Sequence, residues 1–376
     1  MTTLSRRTFL PALAGAAAVG APRKTNILLI LADDLGYSDL GCFGGEIETP
    51  NLDRLAAGGV RFTQLYNNAR CCPSRAALMT GLHPHKVGMG NMTGEQARPG
   101  FPGFTGLVST DAAFLPRVLS GAGYRTLMCG KWHLGQPGPI ERGFDEFFGM
   151  IHGFDSFWDS SKYTRLPAGR PVKKYERFYA TDAITDHAIE FVGTARAEAK
   201  PWFLYLAYNA PHFPLHAPRE LIDKYQPVYE QGWDKLRERR FAKLRKLGLL
   251  DPRWRLTPRS MVGPNRVSSV NGWAEKQNPP WDSLPADRRT DLGRRMAVFA
   301  AMVHRMDENI GRVLDDLKAS GELDRTLILF CSDNGACAEW DPYGFDISSG
   351  PNNILHTGEK LAGMGQPGTY HPKNGS

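Results

Sequence analysis

Short apolar runs that alternate with helical patterns constrain the fold of this chain more than any other feature. Residues 26–32 form a continuous apolar stretch, which is typical of a strand buried on both faces. The predicted strands cover residues 26–32, 60–66, 123–129, 201–208 and 327–330, and the predicted helices cover residues 49–59, 73–81, 115–120, 181–197 and 296–317. This alternation favours an α/β fold with a doubly wound, mostly parallel sheet flanked by helices.

Polar and charged side chains follow four of these runs. They are Asp33 and Asp34, Lys131 and His133, His212, and Asp333 and Asn334. The carboxyl ends of parallel strands meet at one edge of an open α/β sheet, where such folds bind their ligands. Taken singly, each group has an ordinary explanation: solvated aspartates, surface charges, a histidine in a rigid turn, or an Asp-Asn-Gly hairpin turn. Taken together, they predict a cation site and a proton-transfer site around one anion.

A second candidate feature is the segment Cys71-Cys72-Pro73-Ser74-Arg75, which precedes an apolar helical pattern. Pro73 and Ser74 are residues that begin helices, so Cys71 is predicted to lie just ahead of a helix N-terminus. Free backbone N–H groups at that position favour an anion, and Arg75 adds a permanent positive charge. The segment could therefore carry a reactive cysteine, or a residue made from one. A buried structural thiol pair is the ordinary alternative.

The composition is that of a globular protein, and it excludes several classes of function. The chain has 376 residues, of which 41% are apolar and 23% charged, with a net charge of +7. No arginine–aromatic recognition motif accompanies the positive charge, so we predict no nucleic-acid partner. The six cysteines lack the repeated spacing of a zinc site. His83 and His85 flank a proline in a loop, and we interpret them as structural or solvated.

The N-terminal residues have the pattern of an export signal. Ser5-Arg6-Arg7-Thr8-Phe9-Leu10 is a twin-arginine pattern, and the small apolar stretch at 11–21 is too short to span a bilayer. Residues 1–21 are therefore predicted to be a Tat-type signal peptide, and the protein to be exported to the periplasm or secreted. No stable membrane association is expected. A disordered basic N-terminus is the alternative.

Residues 219–291 interrupt the alternation of strands and helices. Seven lysines and arginines between residues 235 and 246 make a basic, mostly helical surface, and an irregular stretch rich in proline and tryptophan follows. We interpret this segment as an insertion beside the core. A solvated face is the simpler interpretation of its charge, and a role at the rim of the substrate site is the alternative.

The motifs above resemble, in the same order, those of the type I sulfatases of the alkaline phosphatase superfamily, and more closely the bacterial arylsulfatases. They are Ala32-Asp33-Asp34-Leu35-Gly36, Cys71-Cys72-Pro73-Ser74-Arg75, Gly130-Lys131-Trp132-His133-Leu134-Gly135, Ala210-Pro211-His212 and Ser332-Asp333-Asn334-Gly335. The resemblance implies an alkaline phosphatase-like catalytic domain over residues 25–371. It also implies one divalent cation, held by Asp33, Asp34, Asp333 and Asn334 together with the modified Cys71. Ca²⁺ is the expected ion, and Mg²⁺ and Mn²⁺ are the alternatives.

The resemblance also implies a mechanism. A maturation enzyme oxidises Cys71 to formylglycine, whose hydrate attacks the sulfur of a small sulfate ester, aryl or carbohydrate. Arg75 favours the ionised hydroxyl, Lys131 holds the sulfate, His212 protonates the leaving alcohol and His133 resolves the covalent sulfate-enzyme. Related enzymes that share the cysteine motif and the metal site hydrolyse phosphonate or phosphate esters, so that activity is the alternative.

The C-terminal end departs from the pattern of the family. Relatives continue into a segment with a further active-site lysine and then a small antiparallel subdomain, whereas residues 372–376 end this sequence. We therefore expect the C-terminal subdomain to be truncated, and neither Lys360 nor Lys373 is assigned to the role of that lysine. A catalytically disabled homologue that still binds metal is the corresponding alternative function.

Overall fold

The computed structural model describes residues 24–93, 98, 100–259, 279–336 and 355–369. The predicted signal peptide at 1–21 and the tail at 372–376 lie outside the described residues. The same is true of residues 260–278 of the predicted insertion.

A six-stranded sheet organises the fold. Its strands are β1 (Asn26–Ala32), β2 (Arg125–Lys131), β3 (Glu146–Met150), β4 (Thr164–Leu166), β5 (Trp202–Ala207) and β6 (Thr326–Ser332). Their order across the sheet is β4-β3-β2-β5-β1-β6, and every neighbouring pair is parallel except β3 with β4. The mostly parallel α/β sheet predicted from the sequence is therefore confirmed.

Helices connect these strands. Those described are α1 (Pro50–Gly58), α2 (Cys71–Thr80), α3 (Leu115–Gly121), α4 (Ala180–Ala197), α5 (Arg219–Tyr229), α6 (Trp233–Lys246), α7 (Ala286–Ala319) and α8 (Gly358–Ala362). The long helix α7 begins ten residues before its predicted start at residue 296. Within the described ranges, no helix has both the length and the apolar character that crossing a bilayer requires.

Two hydrophobic cores lie on opposite faces of the sheet. Leu28 and Ile30 of β1 belong to the core that contains residues of α4 and α7, and Leu29 and Leu31 belong to the core that contains residues of α2. Because successive side chains of a strand point to opposite faces, a strand between two cores must be apolar at every position. Each such side chain contributes about 1.5–3 kcal/mol on burial. The layers on both faces confirm the doubly wound arrangement.

Three local predictions differ from the structure. Residues 60–66 form no strand, because the segment pairs with none of the described strands. Its side chains are exposed, with Val60 79% and Tyr66 82% accessible. Two strands of the structure, β3 and β4, were not predicted from the sequence. β3 has only five residues, including Gly149, and β4 has three, so neither carries enough periodic pattern to be recognised.

Candidate active site

The carboxyl edge of the sheet brings together the side chains that follow the strands. Asp33 and Asp34 follow β1, Asp333 follows β6, and Lys131 is the last residue of β2. Two backbone hydrogen bonds fasten the loops to one another: Asp33 N donates to Ala210 O at 3.1 Å, and Asp333 N donates to Ala32 O at 3.2 Å. The edge is therefore a single structure built by four parallel strands, as expected for this class of sheet.

Arg75 is the centre of this edge, and its side chain is completely buried. Its Nε donates to Asp333 Oδ2 at 2.9 Å, and its Nη1 donates to Lys131 O at 2.7 Å. Its Nη2 lies 3.3 Å from Asp33 Oδ1. Burial opposes a charged guanidinium, but the Asp333 and Asp33 carboxylates outweigh burial and raise the pKa of Arg75. One cation thus joins two carboxylates that stand 300 residues apart in the chain.

Lys131 and Asp33 form a second buried ion pair. Lys131 Nζ donates to Asp33 Oδ2 at 2.5 Å, and neither side chain is accessible. Burial alone would raise the pKa of Asp33, but the charges of Lys131, His212 and Arg75 hold that pKa below its ordinary value. Burial alone would lower the pKa of Lys131, but Asp33 raises it above its ordinary value. Both groups therefore remain charged at neutral pH, and the lysine is positioned to attract an anion.

Asp34 connects the carboxylate cluster to His212 and Asn334. Its Oδ2 lies 3.6 Å from His212 Nε2, and its Oδ1 accepts a hydrogen bond from Asn334 Nδ2. His212 Nδ1 is 2.5 Å from Phe213 O. Since a carbonyl can only accept, Nδ1 carries a proton and Nε2 faces the cluster. Asp34 has φ +64°, a left-handed conformation that costs a non-glycine residue free energy and often occurs at functional sites.

Cys71 is the first residue of α2, one position further into the helix than predicted. It is buried beside Asp33, Asp34 and His212, and the ligand atoms of all four residues lie within 4.8 Å of one another. Burial raises the pKa of the Cys71 thiol far above its ordinary value, although the Lys131 charge opposes this. An unmodified Cys71 is therefore a neutral thiol at neutral pH and a poor nucleophile.

The neighbouring Cys72 lies elsewhere. It is completely buried in the core that contains Ala76 and Met79, and its Sγ is 3.9 Å from Thr93 Oγ1. The two adjacent cysteines thus have different surroundings. Cys71 faces the charged edge of the sheet, and Cys72 packs among apolar side chains.

The oxygen atoms at this edge fit a hard divalent cation. Asp33 Oδ1 and Asn334 Oδ1 are buried and accept no hydrogen bond from the described residues. Burial and the charge of Asp33 raise the pKa of Asp333 to about 6, which reflects the repulsion of carboxylates brought close together. A cation bound by oxygen would relieve both costs. The structure adds His212 to the group around Cys71, whereas Asp333 contacts Arg75 and Asn334 contacts Asp34.

Comparison with known proteins identifies the family of this site. A model of the sulfatase family matches residues 25–367. The chain belongs to the sulfatase family.

Two curated relatives and one solved structure show the extent of the similarity. An arylsulfatase of Klebsiella aerogenes is 33% identical, over 95% of this chain and 75% of its own length. An uncharacterised sulfatase of Schizosaccharomyces pombe is 38% identical, over 84% of this chain and 58% of its own. The structure of Ps i-CgsB in complex with k-i-k-neocarrahexaose matches with a TM-score of 0.57 and 31% identity, over 84% of this chain and 59% of that one. This sulfatase therefore spans about three fifths of the length of two of these three proteins.

The loop after β3 completes the site of this sulfatase, and it was not predicted from the sequence. A Cβ on Gly153 would lie 2.7 Å from His133 Nε2, so only glycine fits beside that ring. The Phe154 ring stacks on His212 with centroids 6.2 Å apart. Burial and then the Lys131 charge hold the pKa of His133 far below its ordinary value, so its imidazole is neutral. A Gly-Phe pair in a loop is too common to indicate this role from sequence.

Proposed function

We propose that this sulfatase hydrolyses sulfate esters to an alcohol and inorganic sulfate. The observation that carries the proposal is the buried group formed by Cys71, Asp33, Asp34 and His212, with the Lys131 ammonium bound to Asp33. Such a group combines a modifiable residue, carboxylates that could hold a cation and the positive charge of Lys131, which suits a monoanionic ester. The relatives with arylsulfatase activity in their name support the same reaction.

Release of sulfate from an aryl sulfate is the test. The full chain would be co-produced with a formylglycine-generating enzyme, and peptide mass would confirm that Cys71 has lost its sulfur. We expect 4-nitrophenol to be released faster from 4-nitrophenyl sulfate than from the matching 4-nitrophenyl phosphonate. Faster turnover of the phosphonate would assign the site to phosphonate esters. Binding of a cation without turnover of either ester would indicate a disabled homologue.

The proposed nucleophile derives from Cys71. Its neutral thiol is unsuited to attack, which supports conversion to formylglycine by a maturation enzyme. The Cβ–Sγ bond breaks and the sulfur leaves as sulfide. A Cβ=O bond forms with oxygen from water or dioxygen, and an oxidant that the maturation enzyme uses takes up two electrons. Addition of water to the aldehyde then gives a geminal diol with two hydroxyls on one carbon.

In the first half of the proposed reaction, one hydroxyl loses its proton to solvent and its oxygen attacks the sulfur. An S–O bond forms to the enzyme, and the S–O bond to the leaving alcohol breaks. Arg75 favours the ionised hydroxyl, Lys131 offsets the negative charge on the sulfate oxygens, and His212 gives the alcohol a proton. A divalent cation, with Ca²⁺ as the proposed ion, supplies positive charge that favours the ionised hydroxyl. Asp33, Asp34, Asp333 and Asn334 would hold it.

In the second half, the remaining hydroxyl resolves the sulfate-enzyme. His133 takes its proton, the C–O bond to sulfate breaks, and the aldehyde re-forms as sulfate leaves. The neutral His133 ring has a lone pair that can take the proton, although burial and the Lys131 charge oppose the imidazolium that forms. A plain serine or cysteine nucleophile would have no second hydroxyl, so its covalent intermediate could be resolved only by attack of a water molecule.

His212→Ala is expected to affect poor leaving groups most. We expect kcat for an alkyl sulfate to fall about 10²- to 10⁴-fold, the usual contribution of a general acid, and kcat for 4-nitrophenyl sulfate to fall far less. The measurement is the dependence of log kcat on the pKa of the leaving alcohol, which should steepen in the variant. His83→Ala, at an exposed histidine, is the control. An equal loss for all leaving groups would refute the role of His212 as an acid.

Calcium is expected to stabilise the folded chain. At a free Ca²⁺ concentration one hundred times Kd, the free energy of unfolding should rise by about 2.7 kcal/mol over its value in chelator. Urea denaturation would measure it. Asp34→Asn should lose most of this gain, and Asp251→Asn, at a surface carboxylate, should retain it. If Ca²⁺, Mg²⁺ and Mn²⁺ all leave the wild-type midpoint unchanged, the proposed cation site is wrong.

The remaining sequence predictions form part of the proposal. Residues 1–21 would direct Tat export to the periplasm or the medium, residues 25–371 would form the catalytic domain, and residues 219–291 would be an insertion in it. Within these residues, α6 carries all seven of the lysines and arginines on which the prediction of a basic, helical surface rests.

A further inference from the structure

A cavity of about 370 Å³ lies directly beside the candidate active site. Asp34 belongs to both, because its carboxylate is in the group around Cys71 and it also lines the cavity. Pro211 and Phe213, on either side of His212, line the cavity as well. The cavity therefore begins where the leaving group would be protonated, and its volume is within the range of small-molecule sites.

Most of the cavity wall is apolar. Besides Phe213, it includes Trp233, Leu236, Trp281, Leu292 and Phe299. Three of these, Trp233, Leu236 and Trp281, come from the predicted insertion. The two tryptophans contact each other edge to face with ring centroids 4.8 Å apart. The insertion thus supplies a side of the cavity that the sheet alone does not provide.

This tryptophan wall is fixed by specific contacts. Trp281 N donates to Asp234 Oδ2 at 2.8 Å, and Trp233 Nε1 donates to Pro279 O at 3.1 Å. Gly232 has φ +84°, and a Cβ there would lie 2.1 Å from the Trp281 ring. Only glycine allows the indole to lie against this backbone. The wall is therefore held in place before any ligand binds, which reduces the entropy cost of binding.

The arginines around the cavity already have partners within the protein. Arg240 donates to Asp39 at 2.7 Å and to Glu46 at 2.6 Å, and these two carboxylates also line the cavity. Arg237 donates to the Thr257 carbonyl at 2.8 Å. The carbonyl contact leaves the charge of Arg237 uncompensated, but a second sulfate group would also meet the carboxylates of Asp34, Asp39 and Glu46. The charge distribution thus disfavours a polysulfated ligand. The apolar wall remains as the surface that can bind an apolar group.

We infer that this cavity binds the apolar, aromatic leaving group of the substrate, so that the preferred substrates are aryl sulfates larger than a single ring. The inference rests on the proposed sulfate ester hydrolysis. In this arrangement the sulfate lies at Lys131, the ester oxygen faces His212, and the arene lies against Trp281 and Phe213. Trp233 and Trp281 set specificity and take no part in the reaction.

A comparison of phenyl sulfate with 2-naphthyl sulfate tests the inference. The wild-type chain should have a KM about tenfold or more lower for the naphthyl ester. Trp281→Ala should raise the naphthyl KM about tenfold or more and leave kcat for phenyl sulfate unchanged, since a buried aromatic contact is lost and the catalytic groups are not. Trp254→Ala is the matched control, because Trp254 belongs to the same insertion but is 53% exposed and outside the cavity.

A second variant guards against a folding defect in Trp281→Ala. Met296 lines the cavity and is 39% exposed, so Met296→Trp should fold and narrow the cavity. It should raise KM for naphthyl sulfate and leave that for phenyl sulfate unchanged. Equal KM values for the two esters in the wild type, or unchanged values in both variants, would overturn the inference.

Binding of 2-naphthol separates the two proposals. Its quenching of tryptophan fluorescence needs no turnover, and Trp254→Ala should retain it while Met296→Trp weakens it. If no ester is hydrolysed but naphthol binds in this way, the proposed reaction is wrong and the cavity assignment stands. If esters are hydrolysed but naphthol does not bind, the cavity assignment is wrong and the reaction stands.

Discussion

Replacing Cys71 by alanine is expected to abolish hydrolysis of sulfate esters, with a loss in kcat of about four orders of magnitude or more. Removing a nucleophile that forms a covalent intermediate has effects of this size, because the other groups of the site cannot act without it. Cys71 lies within 4.8 Å of the Asp33, Asp34 and His212 ligand atoms, so alanine removes the reacting group and leaves the rest of the site in place. Release of 4-nitrophenol by the purified variants is the measurement.

Cys72→Ala is the matched control for this experiment. Cys72 is adjacent in sequence and equally buried, but it lies in the apolar core with Ala76 and Met79. We expect this variant to retain activity within a few fold. The assignment of the nucleophile would be wrong if Cys71→Ala kept more than a few per cent of the wild-type rate, or if Cys72→Ala lost activity to the same extent.

Replacing Arg75 by alanine is expected to lower the free energy of unfolding by about 3–5 kcal/mol, the usual effect of removing one partner from a buried ion pair. The guanidinium donates to Asp333 at 2.9 Å and lies 3.3 Å from Asp33, and all three side chains are buried. Without it, the two carboxylates lose their shared cation. The Lys131 carbonyl also loses the hydrogen bond that it accepts from Arg75.

Urea denaturation in the presence of chelator measures this loss without interference from a bound cation. Arg253→Ala is the control, because Arg253 pairs with Asp251 at the surface and is 87% exposed. We expect that variant to differ from the wild type by less than about 0.5 kcal/mol. Arg75→Lys should recover only part of the loss, since an ammonium cannot donate to both carboxylates and the carbonyl in this geometry. A loss below about 1 kcal/mol in Arg75→Ala would refute its role as the centre of the site.

The sequence was sufficient to predict the part of the fold that builds the catalytic edge. A strand buried between two cores must be apolar throughout, so the apolar segments 26–32 and 201–208 could be recognised as strands. The polar residues after them marked the strand ends. Parallel pairing then brought Asp33, Lys131 and Asp333 to one edge, where Arg75 connects them. A repeated physical rule, applied at four places, thus predicted a convergence that no single residue indicates.

Features that depend on tertiary contacts could not be predicted in the same way. Residues 60–66 have an apolar pattern, yet a strand forms only where a neighbour offers hydrogen bonds, and this segment has none among the described strands. The apolar cavity depends on Phe213 and Trp281, which stand far apart in the chain and meet only in the folded state. Gly153 matters because of the His133 ring beside it, and glycine alone carries no such information.

The position of β1 between β5 and β6 makes the order of synthesis important. Ile27 pairs with Phe203 on one side and Leu327 on the other, so the first strand to be synthesised pairs with strands that follow about 180 and 300 residues later. At roughly 5–20 residues per second, a ribosome needs about 13–50 s to extend the chain from Cys71 to Ser332. During that interval the edge that buries Cys71 is incomplete, because β6 and Asp333 do not yet exist. For the proposed modification, translation speed over residues 72–332 therefore sets how long a maturation enzyme can reach the cysteine before folding encloses it.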